Sequence, residues 1–318
     1  MWPSINHSEY GIFVKEQVEG AKKYYPEVNF EIYFINGRKT SLNYLLSILK
    51  LNFYLIFNRI DLIHIHFGLS GVFSLVNPFI KCPIVTTMHG SDLNNQGSSS
   101  LINWISRKVA LRSDEVILVN KLMLAKLPNI KSKVSILPCG INTNFFFPLE
   151  KIRKGRVEVQ IGFPSNKERF VKNYPLFVEI ISLLEKIYQL KIKIVEFTNK
   201  SRSEIHKSLN EIDLLLMTSL SEGSPQIIKE ALCCNTPIVS TNVGDVSNLL
   251  EGVDNSCIVE TFEPTDFLNP IIKILDQNVN NKVYSNGRTK IFELELDEES
   301  VSKRLFNIYK ELISYKRL

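Results

Sequence analysis

The alternation of short apolar runs with helical patterns constrains this chain more than any other feature of its sequence. Runs such as DLIHIHF (61–67) and DLLLMTS (213–219) have the length and apolar content of buried strands. Helical spacing of apolar residues lies between most of them, which predicts parallel sheets with helices on both faces. The predicted strands are 29–35, 61–67, 83–89, 115–120, 133–138, 157–163, 192–198, 213–219, 237–242 and 256–260.

A polar, charged segment divides this alternation into two halves. PLEKIRKGR (148–156) follows the first five predicted strands, and the pattern then restarts at VEVQIGF (157–163). The chain has 318 residues, which suffices for two domains with substantial cores. We therefore predict two Rossmann-like domains with parallel sheets facing a cleft, 1–148 and 149–296, followed by an amphipathic helix over 297–318.

Composition limits the partners and the cellular compartment. The net charge of +5 suits nucleotide phosphates or anionic lipid. Nucleic-acid binding is not expected, because the sequence has no basic stripe with interleaved aromatic residues. Five cysteines, odd in number and without zinc spacing, indicate reduced thiols in the cytoplasm. The N-terminus shows no signal peptide pattern.

The most apolar segment, 41–59, raises the question of a membrane contact. Lys50 and three asparagines interrupt it, which argues against a membrane span. It is either a core-packed helix or a helix on a membrane surface. Seven basic residues of the first half either touch anionic lipid or form a dispersed solvated surface: Arg107, Lys108, Arg112, Lys121, Lys126, Lys131 and Lys133.

The stretch SEGSPQIIKE (221–230) joins a predicted strand end to a helix start. Ser224 is a suitable N-cap and Pro225 a suitable first helical residue, and the free N–H groups of a first turn attract anions. Glu222 lies in the loop, and Glu230 lies beside the apolar stripe, where a charge is costly unless it meets a polar group. Strand ends beside helix N-termini are where open α/β sheets bind ligands.

Taken in order, the motifs resemble family 4 of the retaining glycosyltransferases, which have the GT-B fold. EGSPQIIKE (222–230) resembles the family's E-x7-E motif. The other matching segments are HGSDL (89–93), PCGINTNFFFP (138–148), FPSNKERFVKNYPL (163–176) and PIVSTNVGDV (237–246). The resemblance implies a UDP- or GDP-linked sugar donor bound by the C-terminal domain and an acceptor bound by the N-terminal domain. It also implies retained anomeric configuration and a final helix that crosses back onto the first domain.

The resemblance assigns roles to charged residues of the second domain. It implies that Glu230 binds the donor ribose hydroxyls and that Glu222 lies by the donor sugar. Lys172 is the expected catalytic cation at the leaving phosphate, with Arg169 as the second cation unless Lys167 replaces it. Two alternatives without a catalytic role remain. The glutamates only interact favourably with the helix dipole, and the basic loop is only a solvated charged loop.

Other candidates come from turns and strand ends. In the family the residue at His89 faces the donor sugar; otherwise this histidine only caps a strand. His64 and His66 lack a third metal ligand and are expected to line the core or the cleft. The sequence contains no Asp-x-Asp, so no metal and no cofactor beyond the donor are expected. The remaining donor-binding candidates are Gly11, Gly90, Gly223, Ser224 and Gln226.

The N-terminus departs from the family pattern. The chain opens at MWPS, almost at the glycine loop, so the first, central strand of the N-terminal domain is expected to be missing. The favoured function is a retaining glycosyltransferase of surface polysaccharide or glycolipid synthesis. It would use a glycan or lipid-linked acceptor in the cytoplasm, at the inner face of the cell membrane. The alternatives are a truncated non-catalytic protein and a sugar-nucleotide epimerase.

Overall fold

The chain divides into two compact units. The computed structural model describes residues 2–3, 10–37, 39–77, 79–93, 100–149, 158–279 and 285–316. Unit 1 consists of Met1–Gly140 and Glu298–Leu318, and unit 2 of Ile141–Asp297. Most of the predicted connecting segment 148–156 lies outside the described residues.

Unit 2 begins earlier than the predicted boundary at residue 148, because the chain joins its core from Ile141 onward. The backbone N–H of Ile141 donates to the carbonyl of Leu296 at 2.9 Å. Ile141 also forms a parallel bridge with Asp297, and Phe146 lies in the buried core of unit 2. These contacts tie the first residues of the unit to its last ones.

Unit 1 contains a four-stranded parallel sheet with neighbouring strands in sequence order. The strands are β1 (Ile63–His66), β2 (Ile84–Met88), β3 (Glu115–Leu118) and β4 (Lys133–Ile136). The helices before and between them are α1 (Ile12–Tyr24), α2 (Leu42–Phe57), α3 (Val72–Leu75) and α4 (Ser100–Arg112). Two 3-10 helices, Gly68–Gly71 and Lys121–Lys126, complete the connections.

The strand predicted at 29–35 is wrong. No strand precedes β1 in the described part of the chain, and β1 is the first strand of the sheet. An extended segment becomes a strand only when a neighbour takes its backbone N–H and C=O groups, and this segment has no such neighbour among the described strands. Its side chains Ile32, Tyr33 and Phe34 remain exposed.

Unit 2 contains a five-stranded parallel sheet in the order β6-β5-β7-β8-β9. These strands are β5 (Val159–Phe163), β6 (Ile192–Glu196), β7 (Leu214–Met217), β8 (Ile238–Thr241) and β9 (Ser256–Val259). The helices are α5 (Tyr174–Tyr188), α6 (Arg202–Glu211), α7 (Gln226–Cys233), α8 (Val246–Leu250), α9 (Leu268–Val279) and α10 (Gly287–Glu293), with 3-10 helices at Phe170–Lys172 and Pro264–Phe267. The strand order reverses at β5, which has β6 on one side and β7 on the other.

The central strand β7 shows why these runs are apolar throughout. Leu215 and Met217 face a core cluster that includes residues of α7, whereas Leu214 and Leu216 face a second cluster that includes residues of α5 and α9. Both faces of the sheet are therefore covered, as expected for a parallel sheet.

The last helix, α11 (Glu298–Lys316), packs on the sheet of unit 1. Val301, Leu305 and Tyr309 form one buried cluster with Val85 of β2 and Ile117 of β3. The helix thus completes the core of the unit that contains the first half of the chain.

Helix α2 presents two apolar faces. On one face Ile48, Leu51 and Leu55 pack against the core beside β1 and β2. The opposite face is exposed and contains Leu42, Leu45, Leu46, Leu49, Phe53, Ile56 and Phe57. The prediction of a core-packed helix therefore holds for one face only. Within the described ranges, none of the helices combines the length and hydropathy needed to cross a bilayer.

Candidate active site

Two charged side chains meet at the point where the strand order of unit 2 reverses. The chain leaving β5 reaches Lys172 at the end of a 3-10 helix, and the chain leaving β7 reaches Glu222. The Nζ atom of Lys172 lies 2.5 Å from Oε1 of Glu222, and only 11% and 14% of the two side chains are exposed. The carboxyl ends of strands at such a reversal are the usual ligand sites of open α/β sheets.

Hydrogen bonds to backbone carbonyls hold the two loops in this arrangement. The N–H of Leu220 donates to the carbonyl of Val171 at 2.8 Å. The hydroxyl of Thr218 donates to the carbonyls of Lys172 and Asn173, each at 3.1 Å. Because these bonds anchor the backbone on either side of Lys172, the position of the ion pair does not depend on the Lys172 and Glu222 side chains alone.

A glycine turn supports the loop of Glu222 from the other side. Gly244 has a φ of 61°, in the left-handed region that favours glycine. A Cβ atom at this position would lie 2.4 Å from the carbonyl oxygen of Gly223. Only glycine therefore allows the turn after β8 to touch the loop at Glu222 and Gly223.

Helix α7 begins one residue later than the sequence predicts. Pro225 occupies the N-cap position with a ψ of 116°, so its backbone is extended and the first helical residue is Gln226. Ser224 therefore lies before the N-cap rather than at it. The predicted donors Gly223, Ser224 and Gln226 still lie together between Glu222 and the start of the helix.

Glu230, the second glutamate of the motif, is buried on α7 and forms an ion pair. Its Oε1 atom lies 2.8 Å from Nη2 of Arg202, and 3% of the Glu230 side chain is exposed. The sequence predicted that a carboxylate beside the apolar stripe needs a polar partner. In the structure that partner is Arg202.

The other cations of the basic loop are placed differently from Lys172. Lys167 pairs with Glu196 at 3.4 Å, and both side chains are more than a third exposed. Arg169 is exposed and precedes the 3-10 helix that ends at Lys172. Lys172 is the buried cation of this loop.

In unit 1 the candidates gather where β2 ends. The buried carboxylate of Asp92 accepts the backbone N–H groups of His89 and Gly90, both at 3.0 Å, and of Gly68 at 3.2 Å. Burial raises the pKa of Asp92 to about 6, although these hydrogen bonds oppose the rise. Gly90 has a φ of 104°, so the turn needs a glycine there.

The start of α1 lies beside the same turn. Gly11, with a φ of 68°, is the N-cap of α1. Two residues later the ring of Phe13 lies 4.9 Å from the ring of His89. The structure therefore brings together Gly11, His89 and Gly90, three of the predicted residues, at one edge of the sheet.

His64 and His66 form a buried network rather than an isolated pair. Nδ1 of His66 lies 3.1 Å from Nε2 of His89. Nδ1 of His64 lies 2.5 Å from the hydroxyl of Tyr309, and Nε2 lies 2.7 Å from that of Thr87. Burial lowers the pKa of His64 to about 3 and that of His66 well below its usual value, which favours the neutral form of both rings. In the described parts of the chain no three His, Cys, Asp or Glu side chains form a group suited to a metal ion.

Two family models match the sequence, one in each half. Residues 14–145 match Glycosyltransferase Family 4, and residues 175–277 match the glycosyl transferases group 1. The chain belongs to glycosyltransferase family 4. The first match contains His89 and Gly90, the second contains Glu222 and Glu230, and Lys172 lies just before the second.

Sequence relatives of this glycosyltransferase extend over most of its length. An uncharacterized glycosyltransferase of Methanocaldococcus jannaschii is 22% identical over 289 residues, or 85% of this chain and 81% of the relative. The UDP-Gal:alpha-D-GlcNAc-diphosphoundecaprenol alpha-1,3-galactosyltransferase of Escherichia coli is 22% identical over 277 residues, or 73% of this chain and 71% of the relative.

Solved structures show the same fold. Sucrose-phosphate synthase from Thermosynechococcus elongatus superposes with a TM-score of 0.74 at 16% identity, covering 90% of this chain and 82% of that one. HepE of Anabaena in complex with UDP has a TM-score of 0.68 at 16% identity, covering 92% and 89%. The predicted GT-B fold class, with two parallel-sheet α/β domains, is confirmed.

Sequence reasoning missed three charged residues of the candidate site. Arg202 is the first residue of α6, and only its position after a capping serine was visible in the sequence. Lys229, next to Glu230, is fully buried, and Asp245, next to Gly244, is partly buried. Burial raises the pKa of Asp245, whereas the charge of Lys229 lowers it. Charges adjacent to motif residues were the available signal for both.

Proposed function

We propose that this glycosyltransferase transfers a sugar from a nucleotide-sugar donor with retention of the anomeric configuration and without a metal ion. The ion pair of Lys172 and Glu222, at the strand reversal of unit 2, is the observation that carries the proposal. A buried ammonium beside a carboxylate offers one group for a diphosphate and one for the hydroxyls of the attached sugar.

The chemistry requires two opposite charges to be stabilised. When the donor C–O bond breaks, negative charge develops on the leaving diphosphate and positive charge on the anomeric carbon. In the proposed reaction the phosphate replaces Glu222 on the ammonium of Lys172, with Arg169 and the backbone N–H groups at the start of α7 as further donors. Glu222 then accepts sugar hydroxyls near the anomeric carbon. The acceptor oxygen forms the new bond, and its proton leaves with the diphosphate.

We assign supporting roles to further residues in each unit. Glu230 accepts the ribose hydroxyls, and Gly223 keeps the loop close to the donor. In unit 1 His89 donates or accepts one hydrogen bond with a substrate hydroxyl, held in place by His66 and by the Asp92 turn. The alternative is that His89 only caps the end of β2. In that case its replacement would leave turnover unchanged.

Donor hydrolysis provides a test that needs no acceptor. We expect the intact protein, incubated with an α-linked UDP-sugar, to release the α-anomer first, as followed by proton NMR before mutarotation. We also expect EDTA to leave the rate unchanged, because Lys172 neutralises the phosphate. Release of the β-anomer first would contradict retention, and loss of the rate in EDTA that added Mg²⁺ restores would contradict metal independence.

Similarity to characterised proteins supports the substrate classes. HepE was solved with UDP, and the E. coli relative is named for a diphosphoundecaprenol-linked acceptor. We propose a UDP-linked donor, with GDP as the alternative, and a glycan or lipid-linked acceptor in surface polysaccharide or glycolipid synthesis. We also propose that the enzyme acts in the cytoplasm, at the inner face of the cell membrane.

We place the membrane contact on the exposed face of α2. Its seven large apolar side chains form a continuous helical stripe, and the other face of the helix is packed on the core. No acidic residue lies between Lys39 and Arg59, whereas Lys50 lies in the helix itself. An apolar stripe flanked by cations suits a surface of anionic lipid. By contrast, Lys133 is already paired with Glu311 at 2.6 Å.

Vesicle binding tests this contact. We expect Leu49→Glu combined with Phe53→Glu to lower co-sedimentation with vesicles containing phosphatidylglycerol about tenfold, because two charges replace apolar side chains inside the stripe. The matched control is Leu122→Glu, which changes a side chain 68% exposed outside α2 and should have no effect. Equal losses in both variants, or wild-type protein that does not bind vesicles, would refute the contact.

A further inference from the structure

The ion pair of Arg202 and Glu230 has an unusual setting. The guanidinium carbon lies 4.7 Å from the ring centroid of Phe146, which is fully enclosed in the core of unit 2. Its Nη2 atom lies 2.8 Å from Oε1 of Glu230, and 22% of the Arg202 side chain is exposed. The arginine is thus held between an aromatic face and the carboxylate that we assign to the ribose.

Both supports of Arg202 are fixed by hydrogen bonds. Its backbone starts α6, where Ser201 and Glu204 form a capping box. The carbonyl of Phe146 accepts a hydrogen bond of 2.8 Å from Nη1 of Arg288, which places the aromatic ring. An arginine stacked on a fixed ring loses little further freedom when it holds a carboxylate.

A carboxylate as buried as Glu230 is costly unless a cation or hydrogen-bond donors meet it, and Arg202 provides that partner at 2.8 Å. An ionised carboxylate has about four lone-pair sites, and an arginine contact at Oε1 leaves sites for other donors. Arginine and ribose can therefore bind the same carboxylate at the same time.

We propose that Arg202 is a positioning residue for the nucleotide: it holds and orients Glu230 so that the carboxylate accepts both ribose hydroxyls. This inference rests on the proposed function and deepens it. Arg202 acts through Glu230 and makes no contact with the diphosphate. Its removal therefore weakens recognition of the ribose hydroxyls while leaving recognition of the phosphates unchanged.

Recognition of the ribose hydroxyls is separated from recognition of the phosphates by comparing UDP with 2′-deoxy-UDP in calorimetric titrations of the intact protein. We expect the wild-type protein to prefer UDP about tenfold, since a hydrogen bond to a charged acceptor is lost with the 2′-hydroxyl. In Arg202→Gln we expect UDP binding to weaken more than 2′-deoxy-UDP binding, because 2′-deoxy-UDP keeps only the 3′-hydroxyl, so the preference for UDP should fall to about twofold or less. Glu230→Gln should give the same pattern, and Arg202→Lys should restore part of the preference.

Stability effects are controlled in two ways. Both ligands are measured on the same sample, so a smaller folded fraction leaves the ratio of affinities unchanged. Lys200→Gln removes another partly buried cation of unit 2, whose ammonium donates to the hydroxyl of Ser208 at 3.1 Å, and should keep the preference for UDP. Equal weakening of both ligands in Arg202→Gln, or an unchanged preference, would overturn the inference alone. Failure of the wild-type protein to bind UDP or GDP would overturn the proposed function and the inference with it.

Discussion

Lys172→Ala is expected to lower kcat/KM for sugar transfer about a hundredfold. Removal of one preorganised donor at a developing negative charge typically costs about 2.7 to 4 kcal/mol in the transition state, or about a hundredfold to a thousandfold in rate. Lys172 fits this role because its ammonium is mostly buried at the strand reversal of unit 2, where water screens it little. The rate is measured with a radiolabelled donor at concentrations below KM.

Lys167→Ala is the matched control for this prediction. It removes the same charge from the same loop, but the ammonium of Lys167 forms an exposed pair with Glu196. Exposed ion pairs contribute about 0–1 kcal/mol, so kcat/KM should stay within about threefold of the wild-type value. Lys172→Arg, which keeps the charge, should recover part of the rate. If the Lys172 and Lys167 variants lost activity equally, general charge rather than a specific contact would be responsible.

Gly244→Ala is expected to disable the proposed donor site and to destabilise the protein. A left-handed backbone costs an alanine about 1–2 kcal/mol, and overpacking adds about 1–3 kcal/mol. Here the added methyl group meets the backbone carbonyl of Gly223, which cannot rotate away as a side chain could. The loop must move, and Glu222 moves with it. We therefore expect nucleotide binding to weaken at least about tenfold.

Gly252→Ala separates the strain of a left-handed backbone from the steric contact with Gly223. Gly252 has a φ of 71°, close to that of Gly244, but a Cβ atom there would have no neighbour within 4 Å. This variant should lose only about 1 kcal/mol of the free energy of unfolding in urea, with nucleotide binding unchanged. If both variants bound nucleotide as the wild type does, the close approach at Gly223 would have no functional consequence.

The sheets could be predicted because strands buried on both faces leave a short apolar run in the sequence. DLLLMTS contains all of β7, and the runs before and after it behave likewise. The segment 29–35 has the same local pattern and forms no strand. Its residues do not reveal whether a neighbouring strand is present, since pairing depends on distant parts of the chain.

The sequence predicted those residues of the candidate site that lie within short continuous motifs. Lys172, Glu222 and Glu230 lie in segments that resemble the family, and the structure pairs the first two. The partner of Glu230 was not predictable, because Arg202 lies on a different helix and no spacing rule connects them. Helix α7 starts one residue later than predicted, because Pro225 has an extended ψ and occupies the N-cap position. Helix propensities do not distinguish a proline at the N-cap from a proline at the first helical position.

Calorimetric titration of the intact chain with UDP and with GDP decides whether unit 2 binds a nucleotide-sugar donor through Lys172. We expect one of the two to bind with one site per chain. Lys172→Ala should weaken that binding at least tenfold, or by about 1.4 kcal/mol, whereas Lys167→Ala should leave it unchanged. A folded wild-type protein that binds neither nucleotide, or a Lys172→Ala variant with wild-type affinity, would contradict the proposed donor site.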